Sequence, residues 1–327
     1  MYTYIVRRLF TMIPLLFAMS FVTFMFIRMI PGDVLAPYRN NPQISQETIH
    51  EMEHKFHFDK PAIVQYGYWL KSMVRLDFGY SFSKRCPVSS VIASHAVNTL
   101  YLALFSILIT WCLGIPLGIW CAVHQYKLSD KVFSFLSYIG MSLPSFFLAL
   151  LLMYLFSNIG DIPLIGRLPV GGMKSDDFDS FSAIGKFFDV MKHMIIPGIV
   201  LGIASIASLQ RVMRGSMLEE LRARYITTAR AKGLPESRVQ YVHALRNAIN
   251  PLITLFGYEL AGLLSGAALT EIITGWPGLG SIMLEAVRSQ DVFLVMGNMM
   301  MGGILLIAGN LVADVALALS DPRIRLS

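Results

Sequence analysis

The chain has 327 residues, of which 55% are hydrophobic and only 15% are charged. Average soluble domains carry roughly 25% charged residues, so this composition excludes an ordinary water-soluble domain and indicates a protein that faces a lipid bilayer. The formal net charge of +6 also occurs in nucleic-acid-binding proteins, but the positions of the charges argue against that class.

The N-terminal segment has features of both a signal peptide and a retained membrane helix. Arg7 and Arg8 precede an apolar stretch over 9–30, which is long enough to span the bilayer. A Pro-Gly-Asp sequence at 31–33 follows it, instead of a small-residue cleavage site. We therefore expect a retained first membrane helix rather than a cleaved signal.

Six segments are long and apolar enough to cross a membrane, because a helical span needs about 20 mostly apolar residues. Backbone polar groups in lipid must be satisfied within the segment, so we expect each span to be a helix and the fold class to be all-α. The predicted spans are 9–30, 98–123, 132–157, 194–212, 250–272 and 292–317.

Lysine and arginine residues indicate the orientation of these spans. With the N-terminus in the cytoplasm, the inside segments carry 14 basic and five acidic residues, whereas the outside segments carry 12 basic and 14 acidic residues. We therefore predict a multi-pass protein of the bacterial inner membrane with both termini in the cytoplasm. The positive charge is then an orientation signal, and we predict no nucleic-acid partner.

Pairs of glycines four residues apart occur in three of the predicted spans. Small residues at this spacing allow two helix backbones to approach closely, although glycine is frequent in membrane helices in any case. The pairs are Gly114 with Gly118, Gly198 with Gly202, and Gly262 with Gly266.

The segment between the first two spans is too long for a simple connection. It contains helix-like patterns at 45–57 and 61–76 and an amphipathic run at 88–98. We predict that 1–97 forms the first membrane helix and a small helical periplasmic cap, and that 98–327 forms a core of five membrane helices.

This cap carries an H-E-x-x-H pattern, which in zinc metalloproteases supplies two metal ligands and a glutamate base. His50, His54 and His57 share one face if the segment is a continuous helix, and Glu51 could then activate a water molecule. The alternative is a charged outer helix with accidental spacing. Because the loop is too short to form a substrate cleft, we predict no catalytic residue, cofactor or metal site, and leave adventitious metal binding open.

The long cytoplasmic connection, about 213–250, carries the most informative local pattern. Leu218, Leu221, Tyr225 and Ala229 recur at steps of three and four residues, which predicts one face of a helix, and Gly233 can close that helix in the left-handed conformation. The proline two residues later suits the first turn of a second helix. The predicted helix, glycine turn and helix would present a short rigid tip at 229–237. The chain has no G-x-x-x-x-G-K-[ST] phosphate loop, so an ATPase would have to be a separate subunit.

This connection resembles a known family. The stretch 225–234, YITTARAKGL, with HALRNA at 243–248 and Pro251 after it, resembles the cytoplasmic coupling loop of ABC importer permeases of the dipeptide/oligopeptide/nickel branch. Thr227 and Thr228 stand where other branches carry Glu-Ala, and the threonine form is usual in this branch. Similar ordered matches occur along nearly the whole chain, including IPGD at 30–33, FGYS at 78–81, SLPSF at 142–146, WPGLG at 276–280 and DPRIR at 321–325.

The resemblance implies a type I ABC importer permease fold and a role as the first of two related permease subunits. Such a subunit forms a translocation path that works by alternating access. Its partners would be a second homologous permease, two ATP-binding cassette subunits, and a periplasmic or lipid-anchored substrate-binding protein. The ATPases would hydrolyse the ATP, so we expect this chain to be non-enzymatic.

The resemblance also assigns roles to residues of two loops. A small residue at 229 and the glycine at 233 would let the tip enter a groove of the ATPase, and 276–280 would form a short re-entrant or surface helix near the outer gate. The ATPase-coupling set is Tyr225, Thr228, Ala229, Arg230, Ala231, Lys232, Gly233, Leu234 and Ser237, braced by His243, Arg246 and Asn247; the outer set is Glu271, Trp276, Pro277, Gly278 and Gly280.

A stand-alone secondary transporter is the main alternative, and it would need coupling charges near mid-span. Arg28 and Asp314 lie near the ends of predicted spans, whereas Glu259 lies deeper and is either a relay or a structural hydrogen-bonding group. The branch handles dipeptides, longer peptides, glutathione and nickel complexes, with selectivity largely in the binding protein. We favour peptides and leave another small solute, such as a nickel chelate, as the alternative.

Overall fold

The computed structural model describes residues 2–29, 35, 39, 45–160, 166–252, 255–256, 259, 262 and 267–320, with the backbone alone for 2–9, 313 and 316–320. The chain divides into two compact units, one formed by 1–99 with 277–307 and the other by 100–276 with 308–327. The predicted boundary after residue 97 stays a prediction.

Helices make up most of the described residues. The elements in chain order are α1 Tyr2–Met29, α2 Gln46–Lys55, α3 Ala62–Met73, β1 Tyr80–Ser81, β2 Cys86–Pro87, α4 Val88–Val123, α5 Leu128–Ser142, α6 Ser145–Ile159, α7 Ala183–Leu221, α8 Arg224–Ala231, α9 Glu236–Arg238, α10 Leu245–Ala248, α11 Ala268–Thr274, α12 Leu279–Arg288 and α13 Val292–Ser320. A 3₁₀ turn, Phe178–Ser180, precedes α7, and a π-helical stretch, Val239–Ala244, joins α9 to α10. The two short strands pair antiparallel.

Four of the described helices are long and apolar enough to cross a membrane. They are Phe10–Met29 within α1, Val88–Val123, Ala183–Leu221 and Val292–Val312 within α13. The amphipathic run at 88–98 is therefore the first part of α4 rather than a separate helix. The predicted span over 250–272 lies only partly within the described residues, so its helix stays a prediction.

The span predicted over 132–157 is not one continuous helix. Helices α5 and α6 are long and apolar enough for a span only when taken together, and they meet at an angle of 111°. The break lies at Leu143, which has an extended backbone with ψ 129°, and at Pro144, which precedes α6. A residue before proline avoids the helical region because the proline ring collides with it, and proline has no N–H for the helical ladder.

The unit formed by 1–99 and 277–307 has a core of apolar side chains from α1, α3, α4 and α13. Tyr66 and Trp69 of α3 are buried beside Phe24 of α1, Ile92 of α4 and Met296 of α13. The Tyr66 hydroxyl and the Ser20 hydroxyl are 2.8 Å apart and share a hydrogen bond. The two predicted cap helices, α2 and α3, are therefore present, and α3 packs directly on the first membrane helix.

The other unit is built on close contact between α4 and α7. A Cβ atom at Gly118 would lie 2.6 Å from the Cβ atom of Met213, and one at Gly198 would lie 2.7 Å from the ring of Phe105. The Ser106 hydroxyl donates to the carbonyl oxygen of Gly198 at 3.2 Å. The glycines of each helix thus admit the other helix, as the four-residue spacing predicts. Gly262 has no described neighbour within 4 Å of such a Cβ.

A buried ion pair links α5 to α7 in the same unit. Arg214 donates through Nε to Oδ1 and through Nη2 to Oδ2 of Asp130, both at 2.8 Å, and the backbone N–H of Tyr126 also donates to Oδ2. Asp130 is only 3% exposed. Removing one partner of a buried pair leaves an uncompensated charge, so this bidentate contact fixes how α5 lies on α7.

Candidate functional site: a glycine-turn hairpin and an outer-loop segment

Residues 224–248 form a hairpin of helices, which we name the glycine-turn hairpin. Its first helix, α8, ends at Ala231 with Lys232 as the C-cap, and Gly233 follows with φ +73°. The N–H of Leu234 donates to the carbonyl of Ala229 at 3.4 Å, and the N–H of Gly233 donates to that of Arg230 at 2.9 Å. These two bonds form a Schellman motif, which satisfies carbonyls that the helix end leaves unpaired. The predicted left-handed glycine closure is therefore present.

The hairpin has an apolar core of its own that continues into α7. Ile226 and Ala229 of α8 are buried with Val239 of the π-helical stretch, and Met213 and Met217 of α7 belong to the same cluster. Ala229 is 8% exposed, so its side chain faces the interior of the hairpin. The structure thus explains the small residue at 229 by close packing inside the hairpin. The sequence instead predicts that a small residue there leaves room for a partner at the tip.

An ion pair closes the turn on its exposed side. Arg230 donates through Nη2 to Oε1 of Glu236 at 2.7 Å and through Nε to Oε2 at 3.1 Å. Hydrogen bonds from Arg230 hold the pKa of the Glu236 carboxyl below its ordinary value, and Glu236 in turn raises the pKa of Arg230. The pair joins the end of α8 to the start of α9, so the tip is held on both sides of Gly233.

Tyr225 joins the two arms of the hairpin at its base. Its hydroxyl donates to the Glu220 carboxylate and accepts a hydrogen bond of 2.9 Å from Nδ2 of Asn247. Burial, and then the hydrogen bond to Glu220, raise the pKa of Tyr225. Of the three residues predicted to brace the second arm, Asn247 makes this contact directly. His243 is half-buried with its carbonyl 3.5 Å from the Tyr225 hydroxyl, and Arg246 is exposed.

The rest of the predicted coupling set lies mainly on the outside of the hairpin. Leu234 is partly buried against the hairpin core, as the apolar contact of a Schellman motif requires. The exposed members around the tip are Thr228, Arg230, Ala231, Lys232, Gly233 and Ser237. They form a compact polar surface with two cationic side chains on a backbone that internal hydrogen bonds hold in place.

The outer-loop segment begins at the end of α11, and its first two predicted residues are buried. Glu271 is 1% exposed and Trp276 is fully buried, in a cluster with Leu102 and Met194. Gly275 closes α11 with φ +66°, and the N–H of Trp276 donates to the carbonyl of Glu271 at 2.9 Å. The prediction of a helix over 276–280 places the start of the helix too early. Residues 276–278 are not helical, and α12 begins at Leu279.

Three polar side chains hold the segment from Pro277 onwards. Asn98 donates to the carbonyl of Pro277 at 2.9 Å, the N–H of Leu279 donates to the Thr99 hydroxyl at 2.8 Å, and Asn298 donates to the carbonyl of Leu279 at 3.0 Å. Thr99 therefore provides the partner that the first N–H of α12 lacks within its helix. None of these three anchors was predicted as a site residue.

Asp291 makes a second set of long-range bonds in this unit. Its Oδ2 atom accepts from the Ser81 hydroxyl at 2.7 Å and from both the N–H and the hydroxyl of Ser83 at 2.9 Å. Its Oδ1 atom accepts from the N–H of Leu294 at 3.1 Å, in the first turn of α13. One buried carboxylate thus caps α13 and fixes the loop between β1 and β2.

Of the three histidines near the H-E-x-x-H pattern, His50 and His54 share a face of α2, but His57 does not. Helix α2 ends at Lys55, and His57 lies beyond it with φ +58° and stacks on Tyr68, with 3.9 Å between the ring centroids. The His50 side chain is 84% exposed and approaches Glu53. Across the part of the chain that the structure describes, no three potential metal ligands lie close enough to hold an ion.

Two family models together match nearly the whole chain. The model described as "Binding-protein-dependent transport system inner membrane component" matches residues 114–326. Its N-terminal counterpart, "Binding-prot-dependent transport system membrane comp, N-term", matches residues 1–103. The chain belongs to this family. It is therefore a membrane-embedded permease subunit, and the predicted all-α fold class of the type I ABC importer permeases is confirmed, while the number of spans stays a prediction.

Several curated relatives match this permease over its full length. The oligopeptide transport system permease protein AppB of Bacillus subtilis is 35% identical over 325 residues, which cover 99% of each chain. The di/tripeptide transport system permease protein DppB of Pseudomonas aeruginosa is 36% identical, and the dipeptide transport system permease protein DppB of Escherichia coli K12 is 35% identical, again over 99% of each chain. A permease of such a system works with an ATPase and with a substrate-binding protein.

The permease also contains a cavity of about 440 Å³ within the unit formed by 100–276 and 308–327. Glu259, from the predicted fifth span, lies on its wall, and Nε1 of Trp111 donates to Oε2 of Glu259 at 2.8 Å. The Trp111 ring in turn packs edge-on against Phe256, with centroids 5.3 Å apart. The described lining residues are Ser145, Val200, Leu201, Ala204, Ser205, Ser208, Leu209, Leu255, Glu259 and Gly262.

Proposed function

We propose that this chain is the first of two permease subunits of an ABC importer for dipeptides and short oligopeptides. The observation that carries the proposal is the full-length similarity, at about 35% identity, to several permeases that are each named for peptide transport. The second permease, a pair of ATPase subunits and a substrate-binding protein complete the transporter. The subunit itself is non-enzymatic and forms part of the translocation path.

The glycine-turn hairpin is the ATPase-docking element in this proposal. Its tip is exposed and polar, and the Schellman motif together with the Arg230–Glu236 pair holds its shape before a partner binds. A preorganised tip loses little conformational freedom on docking, which favours a stable contact with a groove. The cationic Arg230 and Lys232 would face acidic or polar groups of that groove.

The apolar core of the hairpin provides the connection from the docking tip to the membrane. Met213 and Met217 lie on the last turns of α7, a helix that is long enough to span, and they pack against Ile226 and Ala229 of the hairpin. Packed apolar cores deform little, so displacement of the tip would move α7 with it. Closure of two ATPases would thereby be converted into a rearrangement of the spans, which is the alternating-access step.

The orientation in this proposal follows from the charges. The hairpin and the two termini lie in the cytoplasm of a bacterial cell, and the cap helices α2 and α3 with the outer-loop segment lie on the periplasmic side. Asn98, Thr99 and Asn298 then hold the backbone at Pro277–Leu279 in a fixed position where the binding protein would dock.

The test is co-purification of the tagged chain from mild detergent, in wild-type form and with Gly233→Asp. Gly172→Asp is a matched control, because Gly172 has φ +76°, Gly233 has φ +73°, and neither position has a neighbour within 4 Å of an added Cβ. We expect the wild type and Gly172→Asp to carry two ATPase chains and a second permease. Gly233→Asp should enter the membrane in normal amount but lose the ATPases.

Two outcomes would count against parts of this proposal. ATPases that remain bound to Gly233→Asp would remove the docking role from the hairpin. A wild-type chain that purifies alone and still transports a solute down a gradient in vesicles would instead support a stand-alone secondary transporter. If the complete complex forms but takes up no peptide, the substrate is another small solute.

A further inference from the structure

The hydrogen bonds of the Glu259 carboxylate do not fully explain why this ionisable group lies where it does. It lies in a predicted span and on the wall of the 440 Å³ cavity, within the range of about 300–1,000 Å³ that small-molecule sites have. Ionisable groups within the membrane are costly, and they normally face a bundle interior or a water-filled cavity where they contact ions or substrates.

Only one of the two carboxylate oxygens is satisfied by the described residues. Oε2 accepts from Trp111, whereas the buried Oε1 atom has no hydrogen-bond partner among them. The Ser205 hydroxyl lies beside the carboxyl group and lines the same cavity. A buried charge with an open acceptor position is unfavourable unless a cation or a set of donors compensates it.

The described wall of the cavity provides hydroxyl groups but no cation. Ser145, Ser205 and Ser208 line it beside Glu259, and none of the lining residues given above is basic. Serine hydroxyls can donate to a peptide carbonyl or carboxylate and can also accept from an N–H group. The terminal torsion of a glutamate is broad, so Oε1 can turn from its buried position toward the cavity. The missing positive charge can therefore come from a molecule that occupies the cavity.

We propose that Glu259 binds the positively charged nitrogen of the transported solute, either the α-ammonium group of a peptide or the cationic end of a basic side chain. This inference rests on the proposed function and adds a charge-selective contact within the translocation cavity. When the solute binds, the carboxylate turns about its terminal torsion so that Oε1 accepts the ammonium proton, and the Trp111 hydrogen bond to Oε2 is released. The adjacent serines contact the polar backbone of the same solute, so the cavity favours peptides with a free N-terminus over blocked peptides.

The first experiment measures binding to the purified complex without its substrate-binding protein, so that selection by that protein cannot contribute. Thermal unfolding of the complex is followed with alanyl-alanine, N-acetyl-alanyl-alanine and N-acetyl-alanyl-lysine. A ligand of the folded state stabilises it by RT ln(1 + [L]/Kd), so at equal concentration a tighter ligand raises the unfolding temperature more. We expect the wild type to be stabilised by alanyl-alanine and less by the acetylated dipeptide. Stabilisation by N-acetyl-alanyl-lysine would show that a side-chain ammonium can replace the α-ammonium.

The decisive variant is Glu259→Gln, which keeps the shape of the side chain and removes its charge. Loss of a charge-assisted hydrogen bond should weaken binding of alanyl-alanine roughly ten- to a hundredfold and leave binding of the acetylated dipeptide nearly unchanged. Glu259→Asp should restore part of the preference for the free ammonium. Trp111→Phe removes the hydrogen bond to Oε2 but keeps the carboxylate and the packing against Phe256, so it should retain the preference.

Uptake into proteoliposomes gives an independent measurement with the whole transporter. The binding protein is the same for every variant, so its selectivity cancels when each variant is compared with the wild type for one peptide. We expect Glu259→Gln to raise the KM for alanyl-alanine at least several-fold. If Glu259→Gln weakens the binding and uptake of all peptides equally, or behaves as the wild type, the proposal is overturned. Glu259 would then be a structural partner of Trp111.

Failure of the proposed function has a different signature. A correctly assembled wild-type complex that neither binds nor transports any of the peptides would exclude a peptide importer. A wild type that transports alanyl-alanine, with Glu259→Gln equally active, would reject the ammonium site and leave peptide import intact.

Discussion

Arg230 and Glu236 form a bidentate ion pair across Gly233, with Nη2 2.7 Å from Oε1 and Nε 3.1 Å from Oε2. The pair joins the last turn of α8 to the first turn of α9, and the Schellman hydrogen bonds of Gly233 and Leu234 lie between its two members. Charge and backbone therefore stabilise the same turn. The Arg230 and Glu236 side chains are 44% and 51% exposed, so the ion pair contributes only modestly to the stability of the turn.

The first prediction concerns the pH dependence of this turn. Because the folded-state pKa of Glu236 is lowered by Arg230, the pair contributes its full stabilisation above the ordinary carboxyl pKa of 4.5 and loses it as the pH falls through the lowered value. An exposed pair contributes roughly 0.2–1 kcal/mol. We expect hydrogen-exchange protection of the Gly233 and Leu234 amides, corrected for intrinsic rates, to fall by up to about fivefold over that acidic range.

Two variants separate this ion pair from other acid effects. Glu236→Gln should lower the protection of the same amides at neutral pH and remove most of its pH dependence. Glu219→Gln changes an exposed carboxyl group on α7. It should leave the hydrogen-exchange protection of the Gly233 and Leu234 amides as in the wild type. Unchanged protection in Glu236→Gln would mean that the Schellman bonds alone hold the tip.

The second prediction tests the close approach of α4 and α7. An alanine at Gly118 would place its Cβ 2.6 Å from the Cβ of Met213 and 2.8 Å from the backbone oxygen of Gln210, so the helices would have to separate. Overpacking of this kind typically costs about 1–3 kcal/mol. We expect Gly118→Ala to lower the unfolding temperature of the purified protein by several degrees.

Gly215→Ala on α7, where a Cβ meets nothing within 4 Å, should be neutral or slightly stabilising. Equal unfolding temperatures for the two variants would contradict a tight α4–α7 contact.

Features set by neighbouring residues were predictable from the sequence. The Gly233 closure depends on a few residues of local sequence. The helical pattern before it was only partly right, because the predicted face over 218–229 is interrupted between the end of α7 at Leu221 and the start of α8 at Arg224. The bend between α5 and α6 also had a local signal, because Pro144 disfavours a helical conformation at Leu143. Hydropathy across that region is nevertheless high enough to suggest a continuous helical span.

Features that join distant parts of the chain were not predictable in this way. Asn98 and Pro277 are 179 residues apart, and Ser81 and Asp291 are 210 residues apart. An Asn or Asp in a loop has the same local appearance whether it faces solvent or satisfies a buried backbone, so neither periodicity nor charge identifies its partner. Ala229 shows a related limit, since a small residue suits both a docking tip and a crowded core, and only the structure shows that its side chain faces inward.

The last prediction concerns Asp291, which accepts hydrogen bonds from Ser81, Ser83 and the N–H of Leu294 while being only 2% exposed. Asp291→Ala removes all these acceptors and leaves the buried Ser81 hydroxyl and Leu294 N–H without this partner, at a cost of about 1–3 kcal/mol for each such group. The loop between β1 and β2 should open more often, so trypsin should cleave several-fold faster after the exposed Lys84 or Arg85, which mass spectrometry of the fragments can establish. Asp59→Ala removes a carboxylate that contacts only the neighbouring Lys60 among the described ion pairs, and it should leave cleavage at these sites unchanged. Equal cleavage rates in the two variants would show that the strand pairing, rather than the Asp291 carboxylate, holds the loop.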